Sequence, residues 1–64
     1  MKHCIENDSL VIFLEGQIDS SNARAAEEEI GRILGENPGR DIIFDADKLD
    51  YISSAGLRVL LAVH

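Results

Sequence analysis

The chain has 64 residues and a formal net charge of −6, from 12 acidic and 6 basic side chains. A domain of this size buries only about 60% of the surface that its unfolded chain exposes, so one small core is the most it can build. The basic residues are scattered along the chain, which argues against nucleic-acid binding because phosphate groups need clustered Lys and Arg. The acidic balance favours a protein partner with a basic patch.

Cysteine and hydropathy patterns predict a cytoplasmic protein. Cys4 is the single cysteine, so the chain cannot form an internal disulfide or a cysteine-based zinc site. Its longest apolar runs, residues 10–14 and 57–63, fall far short of the ~20 residues that a membrane-spanning helix needs. The first residues lack the apolar region of a signal peptide. We therefore expect no membrane insertion.

Two strands are predicted in the first part of the chain. Residues 2–7 form a weak strand candidate, and the polar residues 7–9 are typical of a hairpin turn. The run from residue 10 to residue 14 is continuously apolar and is ended by a polar pair at 15–16. Such a run predicts a strand that is buried on both faces.

A helix is predicted to begin after residue 22. The polar residues 19–22 offer four side chains that could cap its N-terminus. Apolar residues then recur at helical spacing and form one stripe: Ala23, Ala26, Ile30, Ile33 and Leu34. Gly35 predicts the end of the helix. Gly31 costs ~1 kcal/mol relative to alanine inside a helix, and we interpret it as a site of close packing against a sheet.

The second half of the chain predicts a strand, a loop and a helix. Residues 42–44 form a second buried-strand candidate, which implies a right-handed crossover and parallel pairing with residues 10–14. Residues 45–50 are predicted as a polar loop anchored by Leu49. The second helix begins near Ser54 and is expected to be buried nearly all round, because its apolar residues occupy several sides. These residues are Leu57, Val59, Leu60, Leu61 and Val63, with His64 on the face of the leucines.

These elements together predict an α/β fold, with a mixed sheet, a strand–helix–strand crossover and helices packed on one face. The second helix runs to His64 without a capping glycine or a proline. We therefore expect residues 1–64 to be a single incomplete domain, truncated before its C-terminal strands and helices. The apolar surface left open would be covered by a homodimer or by a segment swap between two copies.

Two consecutive serines, Ser53 and Ser54, open the second predicted helix after an acidic stretch. A hydroxyl at a helix start can accept hydrogen bonds from free backbone N–H groups, and capping is the ordinary role of such serines. Two serines exceed what a single cap needs. A phosphate on one of them would meet the N–H donors and the positive end of the helix dipole. Phosphorylation would therefore change the charge of the surface more than the fold.

Two stretches of the chain resemble STAS domains of the anti-sigma factor antagonist type. They are residues 10–19, LVIFLEGQID, and residues 41–61, DIIFDADKLDYISSAGLRVLL. The resemblance implies a partner switch without a cofactor. Unphosphorylated members of the family bind an anti-sigma factor that is also a serine kinase. Phosphorylation at the start of the second helix ends this interaction, and a PP2C-type phosphatase restores it.

The resemblance also implies roles for individual residues. Aligning Gly56 with the motif glycine places Ser54 at the phosphorylated position and Ser53 where many members have aspartate, so Ser53 is the runner-up acceptor. Asp19 matches the family's aspartate in the turn before the first helix. The predicted phosphosite and its partner-binding surroundings are Asp19, Asp45, Ser53, Ser54, Gly56 and Arg58.

Three other functions compete with this interpretation. The alternative is a STAS adaptor or scaffold, beside a transporter or in another regulatory complex, whose serines serve only as caps. An enzyme is not expected, because Ser54 lacks a Gly-x-Ser-x-Gly elbow and the only histidines, His3 and His64, are terminal. Residues 45–50 lack the central glycine and final glutamate of a calcium loop, so we expect a solvated acidic loop and no metal site.

Overall fold

The computed structural model describes residues 1–62, which form an α/β fold of three strands and two helices. In chain order these are β1 (His3–Glu6), β2 (Ser9–Ile18), α1 (Ala23–Glu36), β3 (Asp41–Ile52) and α2 (Ser54–Ala62). The sheet order is β1-β2-β3, with β1 antiparallel and β3 parallel to β2. The predicted fold class is confirmed. The expectations for Val63 and His64 lie outside the described residues.

The hairpin between β1 and β2 forms where the polar residues 7–9 predict it. Asn7 and Asp8 both have positive φ angles, 50° and 68°. Glu6 pairs directly with Ser9, so Asn7 and Asp8 alone make the turn. Two-residue hairpin turns of this kind need positive φ at both central positions, and Asn and Asp tolerate it better than most residues.

The core lies on one face of the sheet, between β2 and the two helices. Alternate residues of β2 point to this face, as the two-residue repeat of a strand requires. The core members are Leu10, Ile12, Leu14 and Ile18 from β2, Ala23, Ile30 and Ile33 from α1, and Val59 from α2. Both helices therefore pack on the same side of the sheet, as predicted. On the other face, Val11 is buried and Phe13 half-buried because β2 lies between two neighbours.

Strands β2 and β3 are longer than predicted, and the predicted polar loop at residues 45–50 is wrong. β2 continues to Ile18 and β3 to Ile52, and these two residues are paired at the end of the ladder. Backbone hydrogen bonds hold such a ladder together, so the acidic side chains of β3 can point into water without ending the strand. Register shifts between residues 13 and 15 and between 16 and 17 accommodate the length difference, with Gly16 at φ 71°.

Two segments are less buried than predicted. Ile43 is 49% exposed because β3 lies at an edge of the described sheet. In α2, Gly56 and Val59 are buried, whereas Leu57 and Leu61 are 48% and 66% exposed. The expectation of a helix buried nearly all round is wrong for the described residues, because only the sheet and α1 cover it. Pairing between two copies stays a prediction.

Two glycine predictions in α1 need correction. The helix continues past Gly35 to Glu36, and Asn37 ends it by donating its side-chain amide to the Ile33 carbonyl at 2.9 Å. Gly31 is exposed, and a Cβ atom there would meet nothing within 4 Å. Its interpretation as a close contact with the sheet is therefore wrong. Neither described helix is long and apolar enough to cross a membrane.

Candidate functional site

Ser53 joins the end of β3 to the start of α2 and caps that helix. Its hydroxyl oxygen accepts a hydrogen bond from the Gly56 N–H at 3.2 Å, and its carbonyl accepts from the Leu57 N–H at 2.9 Å. Its own N–H donates to the Ile18 carbonyl at 2.8 Å. Ser53 is half-buried, and its hydroxyl, its carbonyl and its N–H each make a hydrogen bond. It therefore performs the capping role that either serine could have taken.

Ser54 is the first residue of α2, and it is exposed. At this position the side chain stands beside the free N–H groups of the first turn, where the helix dipole favours negative charge. The two serines thus have different environments. One hydroxyl is used by the fold, and the other faces solvent at the positive end of the helix.

Gly56 fixes the start of α2 against the end of the sheet. A Cβ atom at this position would lie 2.7 Å from Ile18 Cγ2, 2.8 Å from the Ile18 carbonyl oxygen and 2.9 Å from Ile52 Cγ1. Contacts this short leave no space for any side chain. Gly56 is predicted among the partner-binding surroundings, and the structure places it buried against Ile18 and Ile52, where it permits close packing.

Asp19 lies in the turn between β2 and α1, directly after Ile18. Its Oδ1 atom accepts hydrogen bonds from the Ser21 hydroxyl at 2.5 Å and from the Ser21 N–H at 2.9 Å. The Ser21 hydroxyl first, and the Ser21 N–H second, lower the pKa of the Asp19 carboxyl below its usual value. Because Ser53 is bonded to Ile18, this charged carboxylate and Ser54 belong to the same end of the sheet.

Asn22 ties the same turn together, a role that sequence reasoning missed. Its Oδ1 atom accepts from the Asp19 N–H at 2.9 Å, and its Nδ2 atom donates to the Gln17 carbonyl at 2.9 Å. It makes no side-chain cap on α1, although it occupies the cap position. The Ala23 N–H instead donates to the Asp19 carbonyl at 2.8 Å. The Asp-x-x-Asn spacing was the available signal, because a polar side chain near a helix start can reach back to the backbone N–H three residues earlier.

The remaining predicted site residues lie at different distances from Ser54. Arg58 is exposed one helical turn further along α2. Asp45 pairs opposite Phe13 and accepts from the Asp47 N–H at 2.9 Å. It precedes Ile52 by seven positions on β3, roughly 20 Å at the rise of a strand. The structure therefore does not bring Asp45 to the start of α2.

Metal-ligating residues do not gather at this site. Across residues 1–62, no group of three or more His, Cys, Asp or Glu side chains is arranged to hold a metal ion. The chemistry available at the start of α2 is an exposed hydroxyl, a set of backbone N–H donors and a nearby carboxylate. Such a surface can be recognised by a partner or modified by one.

Comparisons with known proteins give the family and its relatives. The family model described as STAS domain matches residues 2–64. A Bordetella bronchiseptica protein named "Putative anti-sigma factor antagonist BtrV" is 43% identical over 54 residues, covering 84% of this chain and 46% of the relative. Anti-sigma-F factor antagonist RsfB of Mycobacterium tuberculosis is 34% identical over 56 residues, covering 88% and 45%. The chain spans about half the length of the curated relatives it matches.

Proposed function

Because the chain belongs to the STAS domain family, we propose that it carries the phosphorylation switch of an anti-sigma factor antagonist. In the unphosphorylated state it binds an anti-sigma factor that is also a serine kinase. Phosphorylation of Ser54 by that kinase ends the interaction, and a PP2C-type phosphatase restores it. The protein acts by binding in the cytoplasm and is not an enzyme. The names of its relatives support the general role.

The observation that carries the proposal is that the Ser53 hydroxyl caps α2 whereas Ser54 is exposed. The Ser53 hydroxyl is half-buried and already accepts from the Gly56 N–H, so a kinase would have to displace this hydrogen bond to reach it. The Ser54 hydroxyl is exposed at the first residue of the same helix. A kinase can therefore modify Ser54 without breaking the hydrogen bonds that hold the helix start.

A phosphate on Ser54 changes recognition through charge. It adds about −1.5 to −2 charges at neutral pH, and the dipole of α2 stabilises them where they stand. Asp19, which is ionised at neutral pH as an ordinary aspartate is, contributes further negative charge at this end of the sheet. A partner that covers the hydroxyl in one state would have to bury an unpaired dianion in the other, which is strongly unfavourable. The interface is lost while the fold remains.

The proposal is tested by locating the modification. Full-length protein is incubated with its cognate kinase and ATP, and we expect a mass gain of about 80 Da, the mass of a phosphoryl group. Ser54→Ala abolishes this gain, whereas the neighbouring Ser53→Ala variant keeps it. A gain that survives Ser54→Ala contradicts the assignment. Absence of any gain with every kinase encoded nearby favours the STAS adaptor or scaffold.

A further inference from the structure

We propose that Asn22 is a positioning residue, which holds the Asp19 carboxylate in place at the partner-binding end of the sheet. The inference rests on the proposed function for its consequence, which is partner binding, and on the geometry of the turn for its cause. Asn22 is exposed and belongs to the turn that separates β2 from α1. It touches neither Ser53 nor Ser54 through any of its hydrogen bonds.

The Asn22 side chain binds the turn at two points. Its amide nitrogen holds the Gln17 carbonyl near the end of β2, and its amide oxygen holds the Asp19 N–H. Both bonds measure 2.9 Å, within the usual range for N–H···O hydrogen bonds. The residue between them is Ile18, so the backbone on each side of Ile18 is fixed by a single side chain.

Ile18 connects this turn to the start of α2. Its carbonyl accepts from the Ser53 N–H at 2.8 Å, and its side chain lies against Gly56 too closely to admit a Cβ atom. The turn and the start of α2 are therefore joined at one residue. Fixing the Asp19 backbone relative to Ile18 sets the position from which its carboxylate, held by the two Ser21 hydrogen bonds, faces the helix that begins at Ser54.

The cap position of α1 shows that Asn22 is committed to the turn. Asn at this position ordinarily accepts from N–H groups of the helix's first turn. Here its oxygen is already occupied by Asp19, and the helix start relies on the Asp19 carbonyl instead. A carboxylate held in this way needs little further ordering when a cationic partner group meets it, which improves affinity.

The binding experiment uses full-length protein and its cognate anti-sigma factor. We expect Asn22→Ala to weaken binding about tenfold. Asn22→Asp keeps an oxygen for the Asp19 N–H but sets a carboxylate oxygen against the Gln17 carbonyl, so it should weaken binding as well. Ser20→Ala, an exposed neighbour in the same turn, is the matched control and should bind as wild type. Circular dichroism spectra check that each variant is folded.

A double-mutant cycle separates positioning from a general structural role. If Asn22 acts through Asp19, Asp19→Ala combined with Asn22→Ala binds no more weakly than Asp19→Ala alone. Additive losses in the double variant overturn the proposal, because they would mean that Asn22 acts independently of the carboxylate.

An NMR titration of the Asp19 carboxyl decides the geometric part without any partner. In Asn22→Ala the pKa of this carboxyl should rise toward its usual value, because the loosened turn no longer holds the Ser21 donors against it. Ser20→Ala should leave the pKa as in wild type. An unchanged pKa in Asn22→Ala overturns the inference. If no anti-sigma factor binds even the wild-type protein, the proposed function fails and the titration still decides the role of Asn22.

Discussion

The two helices of this chain begin with similar sequences and are held by different means. Both starts follow a strand and carry short polar side chains, Ser21 and Asn22 just before α1, and Ser53 and Ser54 at the start of α2. Before α1, the Asn22 side chain turns back to the strand and leaves capping to a backbone carbonyl. Before α2, the Ser53 hydroxyl caps the helix directly.

The difference shows how a fold can leave one hydroxyl available. At the start of α1 the polar groups bond to one another, and Ser21 is used to hold Asp19. At the start of α2 one serine satisfies the helix and the next faces solvent. Modification of Ser54 therefore need not disturb the fold, whereas a change at either Ser53 or Asn22 removes a structural hydrogen bond.

The largest loss of stability is expected from adding a side chain at Gly56, where the start of α2 packs against the sheet. Gly56→Ala places a Cβ atom 2.8 Å from the Ile18 carbonyl oxygen, and a backbone atom cannot move aside cheaply. We expect a loss of roughly 1–3 kcal/mol in the free energy of unfolding, the usual cost of overpacking. Chemical denaturation of the full-length protein measures it.

The matched control is Gly31, a helical glycine with open space around it. Gly31→Ala adds a Cβ atom that meets nothing within 4 Å, so it should raise the free energy of unfolding by roughly 0.5–1 kcal/mol. If both substitutions changed stability in the same direction, the close contact between Gly56 and Ile18 would not be what decides the outcome.

A smaller effect should separate the two serines. Ser53→Ala removes the acceptor for the Gly56 N–H and should cost about 1 kcal/mol, as the loss of a helix cap does. Ser54→Ala changes an exposed side chain and should stay within about 0.5 kcal/mol of wild type. Thermal unfolding of the two variants side by side measures the difference. Equal losses would contradict the assignment of the cap to Ser53.

The smallest expected effect is a loss of stability at low pH. The pKa of Asp19 is lowered from 3.8, so its bonds to Ser21 contribute stability above the unfolded-state pKa. This contribution is lost as the pH falls through the lower, folded-state pKa. In Asp19→Asn this loss should be absent. Denaturation curves of wild type and variant between about pH 2 and 5 measure it, and identical pH profiles would argue against the Asp19–Ser21 bonds.

Patterns of apolar residues predicted the fold where burial dictates structure. The run at 10–14 and the stripe of α1 identify the strand and helix that form the core. Burial says little about residues 45–52, because a strand at the edge of a sheet is held by backbone hydrogen bonds and tolerates acidic side chains. The acidic composition therefore predicted a loop where β3 continues.

The candidate site could be predicted only in part, because the sequence shows which polar residues are present but not which partners they bind. A serine pair before an apolar helix indicates a cap, and the resemblance to STAS domains indicates which serine matters. Neither shows that the Asn22 side chain would bond to Gln17 and Asp19 instead of capping its own helix. Several partners compete for a polar side chain in a turn, and only the three-dimensional path of the chain selects among them.

The most direct test compares phosphorylated and unphosphorylated full-length protein in two measurements. Calorimetric titration gives the affinity for the cognate anti-sigma factor, and circular dichroism gives the thermal midpoint. A phosphate on Ser54 should weaken binding at least about tenfold. It should shift the midpoint by less than about 4 °C, the effect of roughly 1 kcal/mol in a small domain. Unchanged affinity, or loss of the folded spectrum on phosphorylation, would contradict a switch that alters recognition and spares the fold.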